Sequence, residues 1–189
     1  LEQVNAIPGE FLIRFMTSHP KDAGARLFDT MAACEKVAPV LHLPFQSGSS
    51  RVLQAMHRGY TREHYLSLVD ELRARIPEIV LTSDVIVGFP GETEEEFEQT
   101  KAYLEHIHFY EMHIFKYSKR KGTRAAVMPD QIDEQIKAVR SEKLIALGHD
   151  MSKEFRKFYI GKNEEVLFEE KAVIGDKEYF CLLYTSDAA

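Results

Sequence analysis

The hydrophobic positions of this chain fall into short blocks that alternate between strand-like and helix-like patterns. Four mostly apolar runs of strand length predict β-strands over residues 11–17, 40–45, 79–87 and 112–117. The third run is so apolar that we expect both of its faces to be covered, as in a strand of a parallel sheet. Helical spacing fills the intervals between the runs, so the pattern predicts an α/β domain with a parallel sheet.

Three of these intervals carry helix signals. Apolar residues predict a helix over residues 25–37. Thr61 is placed to cap a helix whose apolar positions form one buried stripe: Tyr65, Leu68, Val69, Leu72 and Ile76. Thr93 and Glu96 have the spacing of a capping box, and the glutamates between them suit the positive end of a helix.

The pattern changes after residue 130. A long amphipathic helix is predicted over residues 133–158, and we expect its apolar positions to pack across the preceding domain: Ile136, Val139, Leu144, Leu147, Met151, Phe155 and Phe158. Short β-rich stretches then follow Gly161, at residues 165–169, 172–174 and 178–184. Gly175 and Asp176 form a hairpin turn between the last two, so a small β-module begins here.

Composition narrows the class of protein. The 189 residues are 44% hydrophobic and 29% charged, which is ordinary for a soluble globular protein and excludes wholesale disorder. No apolar run is long enough to span a membrane. Two cysteines cannot build a disulfide framework, so we expect a reducing cytosol. The net charge of −6 argues against a globally basic nucleic-acid binder but permits a local basic patch.

Polar and small residues follow three of the predicted strands, where ligands bind in parallel α/β folds. Ser18 either caps a turn or belongs to a site, and Gln46 and Ser47 can hydrogen-bond a polar ligand. Gly88 and Gly91 allow the backbone to pass close to a flat ligand. In the same stretch, Ile86 and Val87 can face an adenine ring, while Asp84 has either a structural hydrogen bond or a catalytic role. Phosphate-loop motifs are absent.

A basic segment, KYSKRKGTR at residues 116–124, follows the last of the four strands. Five of its nine residues are cationic in a chain that is acidic overall: Lys116, Lys119, Arg120, Lys121 and Arg124. Such a concentration is typical of phosphate contact, and the alternative is a solvated loop. The histidines and cysteines lack the spacing of metal ligands, so we expect no metal site in this chain.

Taken together, the motifs TSHP, LHLPFQSGS, MHRGYTREHY, SDVIVGFPGETEEEF, YSKRKGTRAA and DQI resemble the radical-SAM methylthiotransferases that modify tRNA. The resemblance covers roughly residues 11–179. It implies part of a radical-SAM (β/α) barrel over residues 1–130, a linking helix over 131–160, and the start of a small β-barrel TRAM domain over 161–184. The last nine residues, 181–189, resemble a translated sequencing adapter, and we expect them to form a non-native tail.

The resemblance also implies a reaction: methylthiolation at C2 of an N6-modified adenosine next to the anticodon. The family uses S-adenosylmethionine and 4Fe-4S clusters, whose CxxxCxxC cysteines would lie upstream of Leu1, so we expect this chain alone to be inactive. Residues up to about 91 resemble the dimethylallyladenosine branch, and residues from about 110 the threonylcarbamoyladenosine branch. Two genes mis-joined between residues 88 and 97 would explain this difference.

Matching the family motifs assigns roles to individual residues. The S-adenosylmethionine pocket would be lined by Ser18, Gln46, Ser47, Asp84, Ile86, Gly88, Phe89, Pro90 and Gly91. The five cations of the basic segment would contact the anticodon stem-loop of tRNA. We expect a cytoplasmic monomer with no membrane contact. The alternatives are a ribosomal-protein methylthiotransferase, a non-catalytic RNA-binding module, and an unrelated α/β-barrel enzyme with Asp84 or His19 as general base.

Overall fold

The computed structural model describes residues 1–16, 19–163 and 168–182, which fall into two compact units, 1–154 and 155–189. The helices are α1 (Glu2–Asn5), α2 (Ala25–Ala33), α3 (Ser50–Ala55), α4 (Arg62–Arg75), α5 (Glu94–Ile107) and α6 (Glu134–Lys157). The strands are β1 (Val40–His42), β2 (Val80–Val87), β3 (Glu111–Lys116), β4 (Phe168–Ile174) and β5 (Lys177–Leu182). Short 3-10 turns span Pro20–Asp22 and Arg124–Val127.

The first unit contains a parallel sheet with the strand order β1-β2-β3, which confirms the predicted α/β class. One face of β2 is buried in the main core, where Leu81, Val85 and Val87 join the apolar side chains of α4 and α5. The opposite face is only half-buried and carries Thr82 and Ile86 beside Asp84. The expectation that both faces of this strand are covered is therefore wrong within the described residues, because β2 alternates instead.

The predicted strand at residues 11–17 does not form a ladder within residues 11–16. Ile13 makes a single parallel bridge to Val37, through bonds of 2.7 Å to the Lys36 carbonyl and 3.0 Å from the Ala38 amide. A strand needs pairing along its length, and here it is limited to one residue. Thr17, the last residue of this prediction, lies outside the described residues.

The bridge and a proline account for two shortened elements. Helix α2 ends at Ala33 rather than 37, because Cys34 is already extended and Val37 pairs with Ile13. Strand β1 ends at His42 rather than 45, since Pro44 has no amide hydrogen and the Phe45 amide donates to Ser83 Oγ at 2.8 Å. Pairing with β2 resumes at a single bridge from position 46 to Val85.

The predicted caps are confirmed. Thr61 Oγ1 accepts the His64 amide at 3.2 Å at the start of α4. Thr93 and Glu96 form a reciprocal capping box at the start of α5. Four of the five apolar positions predicted for α4 are buried: Tyr65, Leu68, Val69 and Leu72. The fifth, Ile76, follows the last residue of the helix and is partly buried against the core.

The long helix is confirmed, but its predicted buried face is partly wrong. Leu144 and Met151 are buried and Leu147 packs against the core, as expected. Ile136, Val139 and Phe158 are about half exposed. The remaining buried positions of α6 are polar or charged: Lys137, Arg140 and Ser141. These charged side chains displace the apolar stripe because they have partners at the carboxyl end of the sheet, described below.

The second unit contains an antiparallel hairpin of β4 and β5. Its turn is at Gly175 and Asp176, as predicted, and Gly175 has a φ of +64°. Strand β5 includes Cys181 and Leu182, the first two residues of the segment expected to be a tail. Residues 164–167 and 183–189 lie outside the described part of the chain. Among the helices that are described, none is both long and apolar enough to cross a membrane.

Candidate functional site

The predicted site residues converge on the carboxyl edge of the sheet. Gln46 follows β1, Gly88 follows β2 and Tyr117 follows β3, and these three strands are direct neighbours. The Ile86 amide donates to the Gln46 carbonyl at 2.9 Å, and the Tyr117 amide donates to the Val87 carbonyl at 2.9 Å. The three strand ends are therefore hydrogen-bonded to one another, which gives the site a rigid floor.

A polar cluster lies on the half-buried face of the sheet, just below this edge. His42 places Nδ1 2.9 Å from Thr82 Oγ1 and Nε2 3.4 Å from Asp84 Oδ2. The His113 ring lies 6.2 Å from the His42 ring, and His113 pairs in register with Asp84. Asp84 thus has an imidazole partner, which sequence reasoning missed. The LHLP motif contained this histidine, but only the sheet register brings it to Asp84.

Gln46 combines an uncommon backbone conformation with a buried side-chain atom that has no hydrogen-bond partner among the described residues. It has a φ of +70°, which is uncommon for a residue with a side chain. Its Oε1 atom is buried and accepts no hydrogen bond from the described residues. Buried polar atoms are nearly always paired in proteins, so this oxygen is available to a ligand donor. Ser47, by contrast, is fully buried and its Oγ accepts the Ser49 amide at 3.2 Å.

The GFPG turn after β2 uses its polar groups within the protein. The Gly88 amide donates to Glu92 Oε2 at 2.7 Å, and the Gly91 amide donates to the Asp130 carbonyl at 2.9 Å. The Gly91 carbonyl accepts Arg51 NH2 at 2.6 Å. Phe89 and Pro90 are both buried, and the Phe89 ring meets the Tyr117 ring edge-on at 5.3 Å. The two glycines therefore have a structural cause in addition to the ligand approach predicted for them.

Helix α6 anchors the turn through buried charges. Arg140 NH1 lies 2.7 Å from Glu92 Oε2, and its NH2 lies 2.9 Å from Glu94 Oε2. Burial raises the pKa of the Glu92 carboxyl, opposed by the bonds from Gly88 and Arg140. Lys137 Nζ donates to the Tyr117 carbonyl at 3.1 Å and to Glu134 at 2.7 Å. Helix α6 thus holds in place both the GFPG turn and Tyr117, the second residue of the basic segment.

A second network joins the starts of α3 and α5. Glu96 Oε1 accepts Ser49 Oγ at 2.8 Å and Arg51 Nε at 2.6 Å, while Oε2 accepts the Thr93 amide at 3.0 Å. Burial alone would raise the pKa of Glu96, but the bonds from Arg51, Thr93 and Ser49 together lower it to about 2. The carboxylate therefore stays ionised and holds the loop after β1 against α5.

The basic segment is exposed apart from Tyr117. Thr123 closes it into a turn, because its amide and Oγ1 both donate to the Arg120 carbonyl, at 3.2 and 2.8 Å. Arg124 NH1 lies 2.9 Å from His57 Nε2, in the turn between α3 and α4. In the described part of the chain, no carboxylate pairs with any of the five cations: Lys116, Lys119, Arg120, Lys121 and Arg124. Sequence reasoning missed His57.

The structure brings most of the predicted cofactor residues to this one edge: Gln46, Ser47, Asp84, Ile86, Gly88, Phe89, Pro90 and Gly91. Ser18 lies outside the described residues. The unpaired Gln46 oxygen, the Asp84 carboxylate and the apolar Ile86 side chain fit a polar, partly aromatic cofactor such as S-adenosylmethionine.

An iron–sulfur cluster does not fit the residues present. The chain has two cysteines, and Cys34 is buried in the apolar core rather than at the edge of the sheet. Within 1–16, 19–163 and 168–182, no three His, Cys, Asp or Glu side chains are grouped to hold a metal ion. Cluster ligands of the usual thiolate type are therefore not supplied by these residues.

Sequence comparison shows which known proteins this chain is similar to. The sequence profile of the Radical SAM superfamily matches residues 2–104. The chain is 49% identical over 177 residues to tRNA-2-methylthio-N(6)-dimethylallyladenosine synthase of Acetivibrio thermocellus, covering 94% of this chain and 37% of that enzyme. It is 50% identical over 169 residues to the enzyme of that name from Alkaliphilus oremlandii, covering 89% and 36%. The chain thus spans little more than a third of these relatives' length.

A solved structure shares the fold. Coproporphyrinogen III oxidase (HemN) from Escherichia coli, described as a Radical SAM enzyme, superimposes with a TM-score of 0.58 at 20% sequence identity. The match covers 70% of this chain and 31% of that one. At this identity the likeness concerns the arrangement of strands and helices alone.

Proposed function

Because this chain belongs to the radical SAM superfamily, we propose that it is part of an enzyme that methylthiolates an N6-modified adenosine in tRNA. The single observation that carries the proposal is the 49% identity over 177 residues to a tRNA-2-methylthio-N(6)-dimethylallyladenosine synthase. We assign residues 1–130 to part of the radical-SAM barrel, 131–160 to a linking helix, and 161–184 to the start of a TRAM domain.

The substrate that we propose is N6-dimethylallyladenosine. An alignment over 177 of the 189 residues includes stretches both before residue 91 and after residue 110. The relatives in question carry that nucleoside in their names. This supports one substrate for both stretches, although the later one resembles the threonylcarbamoyladenosine branch.

The cofactor that we propose at the carboxyl edge is S-adenosylmethionine, which with a 4Fe-4S cluster supplies the radical and the methyl group of this chemistry. The Gln46 oxygen would accept an N–H or O–H of the cofactor, and the Asp84 carboxylate would hold a cationic or hydroxyl group. Ile86 would contact the apolar part. The 88–91 turn would form one wall of the pocket without hydrogen-bonding the cofactor, since the Gly88 amide and the Gly91 carbonyl are already bonded within the protein.

The partner that we propose is the anticodon stem-loop of tRNA, in the cytoplasm, with a monomeric enzyme. Support comes from the five cations of the basic segment, which stand beside the cofactor edge with no carboxylate partner among the described residues. Unpaired cations on an exposed loop attract phosphates, because binding releases the counterions of the RNA.

A grafted enzyme tests the proposal. The matching stretch of the Acetivibrio thermocellus synthase is replaced by the 177 residues of this chain that align with it, and the graft is expressed in a strain without the endogenous synthase. We expect mass spectrometry of digested tRNA to detect 2-methylthio-N6-dimethylallyladenosine. A graft with Gln46→Ala and Asp84→Asn should make far less of it, because the cofactor edge loses the acceptor oxygen of Gln46 and the negative charge of Asp84.

Two controls make the result decisive. The unmodified synthase shows that the strain supports the reaction, and the iron content of the purified graft shows that its clusters are loaded. A loaded graft that leaves dimethylallyladenosine unmodified contradicts the proposed substrate. A methylthiolated ribosomal protein in place of modified tRNA would instead favour the related class of enzyme that acts on protein.

A further inference from the structure

We propose that the RNA-binding surface has a second half, the turn between α3 and α4 at residues 57–59, and that Arg124 joins this turn to the basic segment. This inference rests on the proposed function and adds His57 and Arg58 to its RNA contacts. It starts from one contact between distant parts of the chain: Arg124 NH1 lies 2.9 Å from His57 Nε2.

The turn holds its side chains in a defined place. The His57 amide donates to the Gln54 carbonyl and the Arg58 amide to the Leu53 carbonyl, both at 3.0 Å, which closes the end of α3. His57 has a φ of +58°, so the backbone leaves the right-handed helical conformation at this residue. The His57 side chain is exposed and that of Arg58 is half-buried. Such a turn presents cations without a large loss of backbone freedom on binding.

Both halves lie at the carboxyl edge of the sheet. The Tyr60 hydroxyl, one residue after the turn, donates to the Pro44 and Phe45 carbonyls at 3.2 and 3.1 Å, just past β1. Lys116 is the last residue of β3, where the basic segment begins. A nucleic acid that reaches the proposed cofactor edge would therefore contact both halves.

The cations of this surface differ from those of the neighbouring helices. On α5, and on α6 up to residue 154, every lysine and arginine is ion-paired: Lys101, Lys137, Arg140, Lys143 and Lys153. At the surface proposed here, none of six cations has a carboxylate partner in the part of the chain that the structure describes: Arg58, Lys116, Lys119, Arg120, Lys121 and Arg124. In a chain of net charge −6, such a concentration of unpaired cations fits a polyanion.

The chemistry of the contact suits phosphate. His57 Nε2 accepts from a guanidinium, so the ring proton is on Nδ1 and is free to donate to another group. Arg124 keeps further N–H groups for a second acceptor, and Arg58 adds a planar fork that matches two phosphate oxygens. Together these residues offer donors to adjacent phosphates of an RNA backbone rather than to a single anion.

Binding of a fluorescent RNA stem-loop to the whole chain tests the inference by anisotropy. We expect Arg58→Gln and Arg124→Gln each to weaken binding about 3- to 10-fold at low salt, and to make the slope of log affinity against log salt shallower by about 0.7–0.9. His57→Ala removes one neutral donor and should weaken binding less. Because His57 and Arg124 act through a shared contact, their double variant should lose less than the sum of the two.

Lys153→Gln is the matched control. Lys153 is an exposed cation whose Nζ lies 3.6 Å from Asp150 Oδ1. The next residue, Glu154, has its carboxylate 3.7 Å from His108, which follows α5 and lies near the amino end of β3. The same loss of charge at this opposite edge should leave both affinity and salt slope unchanged. Far-ultraviolet circular dichroism of each variant verifies the fold.

Three outcomes are distinguishable. If Arg120→Glu with Lys121→Glu weakens RNA binding while the Arg58 and Arg124 variants bind like wild type, the second half is absent and the proposed function still stands. If Lys153→Gln weakens binding equally, the effect is one of net charge, and the inference is overturned. Binding of an acidic peptide but no RNA would overturn the inference too, while the grafted enzyme decides the proposed function separately.

Discussion

At the scale of the residue, Gly88 shows how closely α6 approaches the end of β2. A Cβ atom at this position would lie 2.4 Å from Lys137 Cγ, closer than any real contact. Lys137 cannot move aside freely, since it is buried and its ammonium is bonded to the Tyr117 carbonyl and to Glu134. The glycine also has a φ of +72°, which disfavours a side chain. Close packing of protein on protein therefore accounts for Gly88.

Gly88→Ala should lower the free energy of unfolding by about 2–4 kcal/mol, the sum of left-handed backbone strain and overpacking against Lys137. Gly59→Ala is the control, because Gly59 has nearly the same φ, +71°, but nothing within 4 Å of its Cβ position. It should lose only about 1–2 kcal/mol, the strain alone. Chemical denaturation measures both values. Equal losses would mean that Lys137 relaxes without cost.

The role of Asp84 could be predicted only in part from the sequence. The sequence places an acidic residue in an apolar strand, which indicates a partner or a function but cannot choose between them. The partner, His42, is on another strand, and only the register of β1 with β2 brings the two within 3.4 Å. The unpaired Gln46 oxygen could not be predicted either, because its burial depends on neighbours that are distant in the chain.

At the scale of the element, the start of α5 depends on one carboxylate. Glu96 accepts hydrogen bonds from Ser49, Arg51 and Thr93, and its pKa is lowered to about 2 from an ordinary value of 4.5. A lowered pKa means that the stabilisation is fully present above the unfolded value and is lost as the pH falls toward the folded value. The contribution of Glu96 should therefore disappear between about pH 4.5 and pH 2.

Glu96→Gln should cost about 1.5–3 kcal/mol near neutral pH, the range for hydrogen bonds to a charged group. The difference from wild type should shrink as the pH falls below about 4.5. Glu95→Gln removes the same charge from the same exposed first turn and should change stability far less. Urea denaturation across this pH range tests both. A loss for Glu96→Gln that stays constant down to pH 2 would contradict the assigned role.

The helices also show where sequence patterns succeed and where they fail. The cap of α5 is readable from the sequence, since Thr93 and Glu96 are only three residues apart. The buried face of α6 is not readable in this way. Arg140 is buried because it meets Glu92, 48 residues earlier, and no local pattern records that partner. Apolar spacing therefore predicted the length of α6 but assigned Ile136 and Val139 to the wrong side.

At the scale of the whole molecule, the carboxyl edge of the sheet was predictable because parallel strands end on the same side. Three apolar strands were sufficient to place Gln46, Gly88 and Lys116 at neighbouring strand ends. The half-buried face of β2 was not predicted, because the apolar residues at both ends of the run, Val80, Leu81 and 85–87, outweighed the three polar residues between them. Only the structure shows that the face shared by Thr82, Asp84 and Ile86 is half-buried.

Whether this chain can hold a 4Fe-4S cluster by itself depends on the ligands that the whole chain supplies. 4Fe-4S clusters are commonly held by several cysteine thiolates, and this chain has two cysteines in all. Cys34 is buried among apolar side chains, where a thiolate is disfavoured. Anaerobic reconstitution with iron and sulfide should therefore leave the desalted chain with no visible cluster band and no stoichiometric iron. The Acetivibrio thermocellus synthase, treated in parallel, shows that the procedure works.

A Cys34→Ala, Cys181→Ala double variant supplies the matched baseline for this measurement, because it keeps every other ligand type. We expect it to retain the same trace of iron as the unmodified chain, since that trace reflects non-specific binding. Stoichiometric iron in the chain that is lost in the double variant would show that these two thiolates do ligate a cluster. The chain would then carry a metal site of its own, and the proposed function would need a second redox centre assigned to these residues.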